Sequence, residues 1–293
     1  MSNPIIHTPV LFQEVMQSCP DDAHYVMDGT LWHGWHTLWF LAQWRTVLGV
    51  DRDQAMIAKA RQTIDQQYFD ENRIQIVHGS YADFEHIKQQ TGVQQVDYIL
   101  IDIGVNMEHF KDASRGFSIK HDGPLDMRYD TSQWQPVALW LAQATYQDLV
   151  DNLVEYADFS EKYIDWIAKE LVQHKKSHPF HTTHDVRDCA KNLGINDKKL
   201  AVIFQSWRIQ INNELDEFDR FLETFVDYLR PWWRCCIITY HSGEDRRAKI
   251  ALKSLAKQNI WIILTKHVIK PSWQEIQVNK AARSAKMRLF EKI

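Results

Sequence analysis

The sequence predicts an α/β protein: a parallel, doubly wound sheet interrupted by an inserted helical domain. Between His24 and Asp102, short apolar runs alternate with segments of helical spacing, the pattern of β–α–β units whose helices cover both faces of a parallel sheet. From about His109 to Gln205 the alternation stops, and the sequence reads as loop followed by helix with no clear strand. Three of the apolar runs end in carboxylates, Asp28, Asp51 and Asp102, at the strand ends beyond which open α/β sheets hold their ligands.

His7-Thr-Pro-Val-Leu-Phe-Gln-Glu-Val-Met reads as a leading loop and a short amphipathic helix. The first strand lies near His24 to Asp28. It runs into Asp28-Gly29-Thr30-Leu31-Trp32-His33-Gly34-Trp35-His36, a nucleotide-binding turn opening a helix near Thr37, except that tryptophan holds two positions where such a turn needs glycine. The second strand, Thr46 to Asp51, ends in an acid. Turn and acid together form the physical core of an adenosine site: backbone N–H groups at a helix start approach the ligand, and the carboxylate accepts ribose hydroxyls. Asp53 is the expected N-cap of a helix reaching about Gln67. Arg73 to His78 is a third strand, leading to Gly79-Ser-Tyr81-Ala-Asp-Phe, and Val96 to Asp102 is a fourth, apolar enough to be buried on both faces. A long helical stretch from Ser206 to Leu229 returns to the sheet, followed by strands near Arg234 to His241, Asn259 to Val268 and Ala285 to Phe290. The domain boundaries read as 1–108 with 206–293 for the sheet domain and 109–205 for the insertion.

At 293 residues, with 45% hydrophobic and 25% charged residues, the chain is globular with room for a sizeable core. No stretch is apolar enough to span a membrane, and Met1-Ser-Asn-Pro lacks a signal peptide's basic and apolar regions, so the cytoplasm is the expected location. Cys19, Cys189, Cys235 and Cys236 show no CxxC spacing and read as reduced thiols, the adjacent pair facing opposite sides of a strand. A formal charge of -4 argues against non-specific coating of nucleic acid. A local basic surface remains open in Lys266, Lys270, Lys280, Arg283, Lys286 and Arg288, readable as a solvated face or as RNA contact. Average usage predicts about twenty glycines in such a chain; this one has 10, and 12 tryptophans.

Nine motifs in order carry a resemblance spanning His7 to Arg288: His7-Thr-Pro-Val-Leu; Asp28-Gly-Thr-Leu; Gly49-Val-Asp-Arg-Asp53; Leu100-Ile-Asp-Ile-Gly-Val105; Arg115-Gly-Phe-Ser; Asp122-Gly-Pro-Leu-Asp-Met-Arg128; Phe204-Gln-Ser-Trp-Arg-Ile-Gln-Ile-Asn-Asn-Glu-Leu215; His241-Ser-Gly-Glu-Asp-Arg246; and Ala282-Arg-Ser-Ala-Lys-Met-Arg288. The chain resembles bacterial S-adenosylmethionine-dependent methyltransferases that modify N4 of a cytosine in small-subunit (16S) ribosomal RNA. The resemblance implies a Rossmann-like methyltransferase sheet, S-adenosyl-L-methionine as cofactor, and a target near the decoding centre of an assembled small subunit. It further implies that the target base is unstacked and that the products are N4-methylcytidine and S-adenosylhomocysteine.

The resemblance also implies roles. Gly34, Trp35, His36, Asp51, Tyr81, Asp102 and His109 align with cofactor contacts, Asp51 as ribose acceptor and Tyr81 beside the adenine. Asp102 and Asn106 align with the reaction centre, where the delocalised lone pair of the cytosine amine calls for alignment with the methyl group and an acceptor for its protons. Asp102 alternatively holds the cofactor's amino group; His36 alternatively only starts a helix, and Tyr81 alternatively belongs to the core. His109 stands where the family has glutamine, and Asn106-Met107 where it has two serines. Asp126, Arg128, His241, Glu244, Asp245 and Arg246 fall near the substrate face by analogy, or form structural ion pairs. In His178-Pro-Phe-His-Thr-Thr-His184, Thr182 or Thr183 as a helix cap outweighs a zinc site, so no metal is expected. Lys175, Lys176, Lys198 and Lys199 could reach phosphates or simply be solvated. Two rivals keep their place: a non-catalytic ribosome-binding or assembly factor with a blocked cofactor turn, and a DNA amino-methyltransferase. Monomer and homodimer are both open.

The departures from the family pattern collect on one residue type. Glycine is expected at Trp32 and Trp35, and at Trp232 and Trp233; Trp44 and Trp134 sit where glycine would be comfortable, and Trp39 and Trp273 are further candidates. Some bacterial lineages read UGA as glycine where a common alternative code reads tryptophan. The expectation is therefore that several of these are glycine codons written in the wrong code, while Trp140 and Trp207 fit apolar helix faces as genuine residues. Indoles at 32 or 35 would fill ligand space, and little cofactor binding would follow.

Overall fold

The structure, a computed structural model, describes residues 9–66, 71–265 and 267–293. His7 and Thr8 of the first motif, and Lys266 of the basic tail, lie outside the described residues. In chain order the elements are α1 (Phe12–Ser18), β1 (Tyr25–Asp28), α2 (Trp35–Ala42), β2 (Thr46–Asp51), α3 (Gln54–Asp65), β3 (Ile74–His78), α4 (Phe84–Thr91) and β4 (Val96–Asp102). Helices α5 (Met107–Lys111), α6 (Val137–Gln143), α7 (Tyr146–Tyr156), α8 (Glu161–Lys175), α9 (Thr183–Asn192) and α10 (Asp197–Asn212) follow. The chain ends with α11 (Glu214–Tyr228), β5 (Leu229–Thr239), α12 (Ser242–Lys257), β6 (Trp261–Ile263), α13 (Trp273–Val278) and β7 (Lys286–Lys292).

The seven strands form one sheet in the order β3-β2-β1-β4-β5-β7-β6. Strands β1 to β5 pair in parallel, and β7 runs antiparallel between β5 and β6. Every residue of β4 is buried, as an uninterrupted apolar run in the middle of a two-sided sheet requires. Alternation along the strands feeds two cores: Ile99, Ile101, Cys235 and Ile237 pack with α4, α11 and α12, while Tyr98, Leu100, Cys236 and Ile238 pack with α1, α2 and α3. The adjacent cysteines thus face opposite sides of the sheet, and all four cysteines are buried free thiols. The strand order reverses between β1 and β4, so their carboxyl ends form the switch point where such sheets bind ligands.

The described chain divides into two compact units, Met1–Gly104 with Asp216–Ile293, and Val105–Leu215. The division falls ten residues later than the sequence suggested at Ser206, because α10 is one continuous helix whose Leu200, Ile203, Phe204 and Trp207 belong to the helical core. The helical stretch expected from Ser206 to Leu229 is two helices, broken at Asn213, whose φ is 52°. The sixth strand shrinks to Trp261–Ile263, and α2 begins at Trp35 instead of near Thr37. No helix among the described residues is long and apolar enough to cross a membrane.

Candidate active site

The turn after β1 is stitched to both neighbouring strands. The Asp28 carboxylate accepts the Thr37 hydroxyl at 2.7 Å and the Thr30 amide at 3.4 Å, tying the strand end to α2. Thr30 then accepts the Asp102 amide at 2.8 Å on the β4 side, and the Leu31 amide donates to the Val50 carbonyl at 3.1 Å on the β2 side. Gly34 caps α2 with φ 76°, a conformation that costs other residues a steric penalty. This geometry holds the turn over the ends of β1, β2 and β4.

Two carboxylates flank it. Asp51 accepts the Trp32 amide at 3.0 Å through Oδ2 and the Asp53 amide at 2.9 Å through Oδ1, while Asp53 caps α3. Asp102 accepts the Tyr240 hydroxyl at 2.8 Å. Burial pushes Asp28, Asp51 and Asp102 each up to about 7, against the lowering effect of the Thr37 hydroxyl on Asp28, of backbone amides on Asp51 and of the Tyr240 hydroxyl on Asp102. Three buried acids at adjoining strand ends repel one another when ionised. A ligand that is itself cationic relieves them.

The other expected contacts divide. Trp35 is half-buried against the core of its sheet face. His36 is buried and stacks on Phe12 with centroids 5.9 Å apart; burial lowers its pKa to about 3, so it is a neutral packing residue. Tyr81 meets Phe221 edge-on at 5.5 Å within the sheet core. In the second unit, Asn106 caps α5 by accepting the Glu108 amide at 2.9 Å. His109 is fully buried there, stacked 4.8 Å from Phe117 and 5.2 Å from Tyr129. The structure therefore gives His36 and His109 packing roles and Asn106 a capping role.

Most of the charged signatures are structural. Arg128 forks onto Asp126 at 2.7 and 2.8 Å. His241 and Glu244 form the capping box of α12, and Asp245 binds Lys286 at 3.2 Å and Arg288 at 2.7 Å, which neutralises part of the basic tail. Thr182 caps α9 in a capping box with Asp185. Lys175 donates to the carbonyls of Leu141, Ala142 and Ala144 at the end of α6, and Lys199 lies 4.0 Å over the Tyr163 ring. Sequence reading missed Tyr240. The signal was available: a polar residue at the carboxyl end of an apolar strand, next to β4 in a parallel sheet, by the rule that singled out Asp102.

The tryptophans separate by backbone. Trp32, Trp44, Trp134 and Trp232 have φ of 47°, 63°, 62° and 69°, in the left-handed region. Trp35, Trp39 and Trp273 lie in helices and Trp233 in a strand, without positive φ. Trp32 also bridges two strand ends: its amide holds Asp51, and its indole Nε1 donates to the Asp102 carbonyl at 3.3 Å. The indole therefore reaches from the turn to the main chain at the end of β4. The carboxylate set fits S-adenosylmethionine, whose sulfonium and ammonium charges answer three buried acids; the side chain at 32 does not, and a glycine there would.

A doubly wound sheet, a turn at its switch point and acids on the adjoining strand ends make this a Rossmann-like protein, and its family makes it an S-adenosylmethionine-dependent methyltransferase. The chain belongs to the MraW methylase family, whose sequence profile matches residues 4–293. It is 33% identical to a ribosomal RNA small subunit methyltransferase H of Coprothermobacter proteolyticus, over all of this chain and 98% of that one. It is 34% identical to the protein of that name from Shewanella oneidensis, over 100% and 99% of the two chains. Among solved structures, an rRNA methylase from Streptococcus thermophilus aligns with a TM-score of 0.43 at 10% identity, covering 100% of this chain and 99% of that one.

Proposed function

We propose that this protein methylates the N4 amine of a cytosine in small-subunit (16S) ribosomal RNA, near the decoding centre of an assembled subunit in the cytoplasm. The observation that carries this is end-to-end similarity to relatives named for that subunit's RNA. S-adenosylmethionine, when bound, supplies an electrophilic methyl group. The chain's part is to hold and orient. Asp51 accepts ribose hydroxyls, and the backbone at Gly34 and residue 35 approaches the cofactor. Asp102 in its ionised form accepts either the cofactor's ammonium or the protons of the base amine. Tyr81 lies beside the adenine, while His36 braces α2 against Phe12.

The working form of this protein carries glycine at 32, 44, 134 and 232. Holding an L-residue in the left-handed region costs roughly 1–2 kcal/mol. Four such tryptophans would then consume about 4–8 kcal/mol, against a total stability of about 5–15 kcal/mol for a folded domain. Trp44, Trp134 and Trp232 are 82%, 55% and 66% exposed, so burial does not compensate. Glycine removes the penalty at all four and takes the indole off the main chain at the end of β4. UGA codons at these positions, read as glycine, account for it.

The test joins codon and chemistry. The coding DNA at 32, 44, 134 and 232 is read and the intact mass of the protein from its own cell measured; UGA with glycine masses is expected. The glycine-bearing protein is then incubated with labelled cofactor and either small subunits or DNA, and the product nucleosides are separated. N4-methylcytidine in small-subunit RNA is the expected product. Label only in DNA, or subunit binding without cofactor binding, overturns the reading.

A further inference from the structure

We propose that Tyr240 is the positioning residue of this site, its hydroxyl holding the Asp102 carboxylate oriented and ionised for its cationic or amine partner. The inference rests on the methyltransferase reading for what Asp102 does, but not for what Tyr240 does to Asp102. Tyr240 directly follows β5, the strand paired in parallel with β4, so the two residues leave the sheet side by side. Its hydroxyl donates to Asp102 Oδ1 at 2.8 Å.

The ring is fixed from two directions. The Tyr240 amide donates to Glu244 Oε2 at 2.8 Å, in the capping box that opens α12. On the other side lies Gly104, with φ 134°, where a Cβ would stand 3.2 Å from Tyr240 Cδ2. The chain beyond β4 thus passes close to the ring because residue 104 has no side chain. Burial and the adjacent carboxylate raise the Tyr240 pKa far above its usual value, so the phenol stays protonated and remains a donor wherever Asp102 is ionised.

The surroundings explain why such a donor is required. Burial raises the Asp102 pKa, and Asp28 from β1 and Glu244 from α12 add like charge; the Tyr240 hydrogen bond opposes them. Thr30 contacts the backbone amide of Asp102, which leaves the carboxylate charge unaddressed. A hydrogen bond to a charged acceptor is among the stronger ones a protein makes, and it favours the ionised state directly.

The experiment uses the full chain with glycine at 32, 44, 134 and 232, as wild type at 240 and as Tyr240→Phe, which keeps the ring and removes one oxygen. Asp102 is followed in the ligand-free protein by carboxyl-carbon NMR, assigned by loss of its signal in Asp102→Asn. Its midpoint should rise by about one pH unit or more in Tyr240→Phe. Cofactor affinity measured by calorimetry across pH 6 to 9 should shift its acid limb by the same amount, with the high-pH plateau kept within about threefold. In the Asp102→Asn background, Tyr240→Phe should leave the pH dependence unaltered. An unchanged Asp102 midpoint, or an equal loss of affinity at every pH, overturns the proposal. Absence of methyl transfer by the chain with Tyr240 intact would instead count against the methyltransferase reading, while the ligand-free titration still decides the role of Tyr240.

Discussion

Trp207 and Trp32 are the same residue in opposite situations. Trp207 sits inside α10, fully buried, tilted against Phe204 with ring centroids 5.8 Å apart. Its backbone is ordinary helix, and the indole is a large part of what the helical core is built around. Trp32 sits in a turn with φ 47°, its amide used by Asp51 and its indole laid toward the end of β4. At 207 the side chain gives the position its purpose; at 32 the left-handed backbone defines the position and favours glycine. A residue is thus judged by whether its surroundings ask for atoms or for their absence.

Replacement by a small residue sharpens this contrast most. Trp207→Ala should destabilise the helical unit by about 3–5 kcal/mol, the usual cost of emptying a large aromatic site, read as a lower urea midpoint of circular dichroism. Trp32→Gly should do the reverse, raising the midpoint by about 1–2 kcal/mol as the left-handed penalty is lifted. The same change should improve S-adenosylmethionine binding by about 100-fold or more in calorimetry, a gain of about 2.7 kcal/mol. If Trp32→Gly binds cofactor no better than the parent chain, the indole is not what obstructs the site.

The contrast also sorts what was legible in the sequence. The placement of Asp51 and Asp102 at the ends of β2 and β4 could be read because each terminates an apolar run. Composition and spacing raised eight tryptophans together, and only the backbone separated Trp32, Trp44, Trp134 and Trp232, with positive φ, from Trp35, Trp39, Trp233 and Trp273. His36 and His109 could not be settled from the sequence for a different reason. An imidazole looks alike in a motif whether it faces a ligand or a phenyl ring, and burial against Phe12 or Phe117 is a tertiary fact. Tyr240 was legible as a polar residue at the end of an apolar strand, but its pairing with Asp102, 138 residues away in the chain, was not.

A pH-dependent effect follows from the three buried acids. Asp28, Asp51 and Asp102 are each raised from 3.8 to about 7 in the folded protein. The folded state therefore binds more protons than the unfolded chain through that window. Their contribution to stability is fully present below about pH 4 and is lost as pH rises through about 7. In thermal melts of the ligand-free protein this should appear as a falling component between pH 5 and 7, reduced in Asp28→Asn, where one of the acids can no longer ionise. Saturating cofactor should flatten it, because a cationic ligand favours the ionised acids. A melt whose pH slope is identical in Asp28→Asn would show that Asp28 is already ionised across the window.

The finest test of the comparison is at Trp44, where the tryptophan has a partner. Its ring lies 4.9 Å from the Arg73 guanidinium carbon, and an exposed cation–π pair contributes about 0.5–1 kcal/mol. The left-handed backbone at 44 costs about 1–2 kcal/mol, so the two terms nearly offset. Trp44→Gly should therefore stabilise by only about 0.5–1 kcal/mol, against a fuller gain for Trp134→Gly. The pair Trp44→Gly and Arg73→Ala separates the terms in a double-mutant cycle: with Arg73 absent, the gain at 44 should rise to that at 134. If Trp44→Gly destabilises with Arg73 absent, the backbone at 44 does not favour glycine, and that position leaves the set assigned to recoded codons.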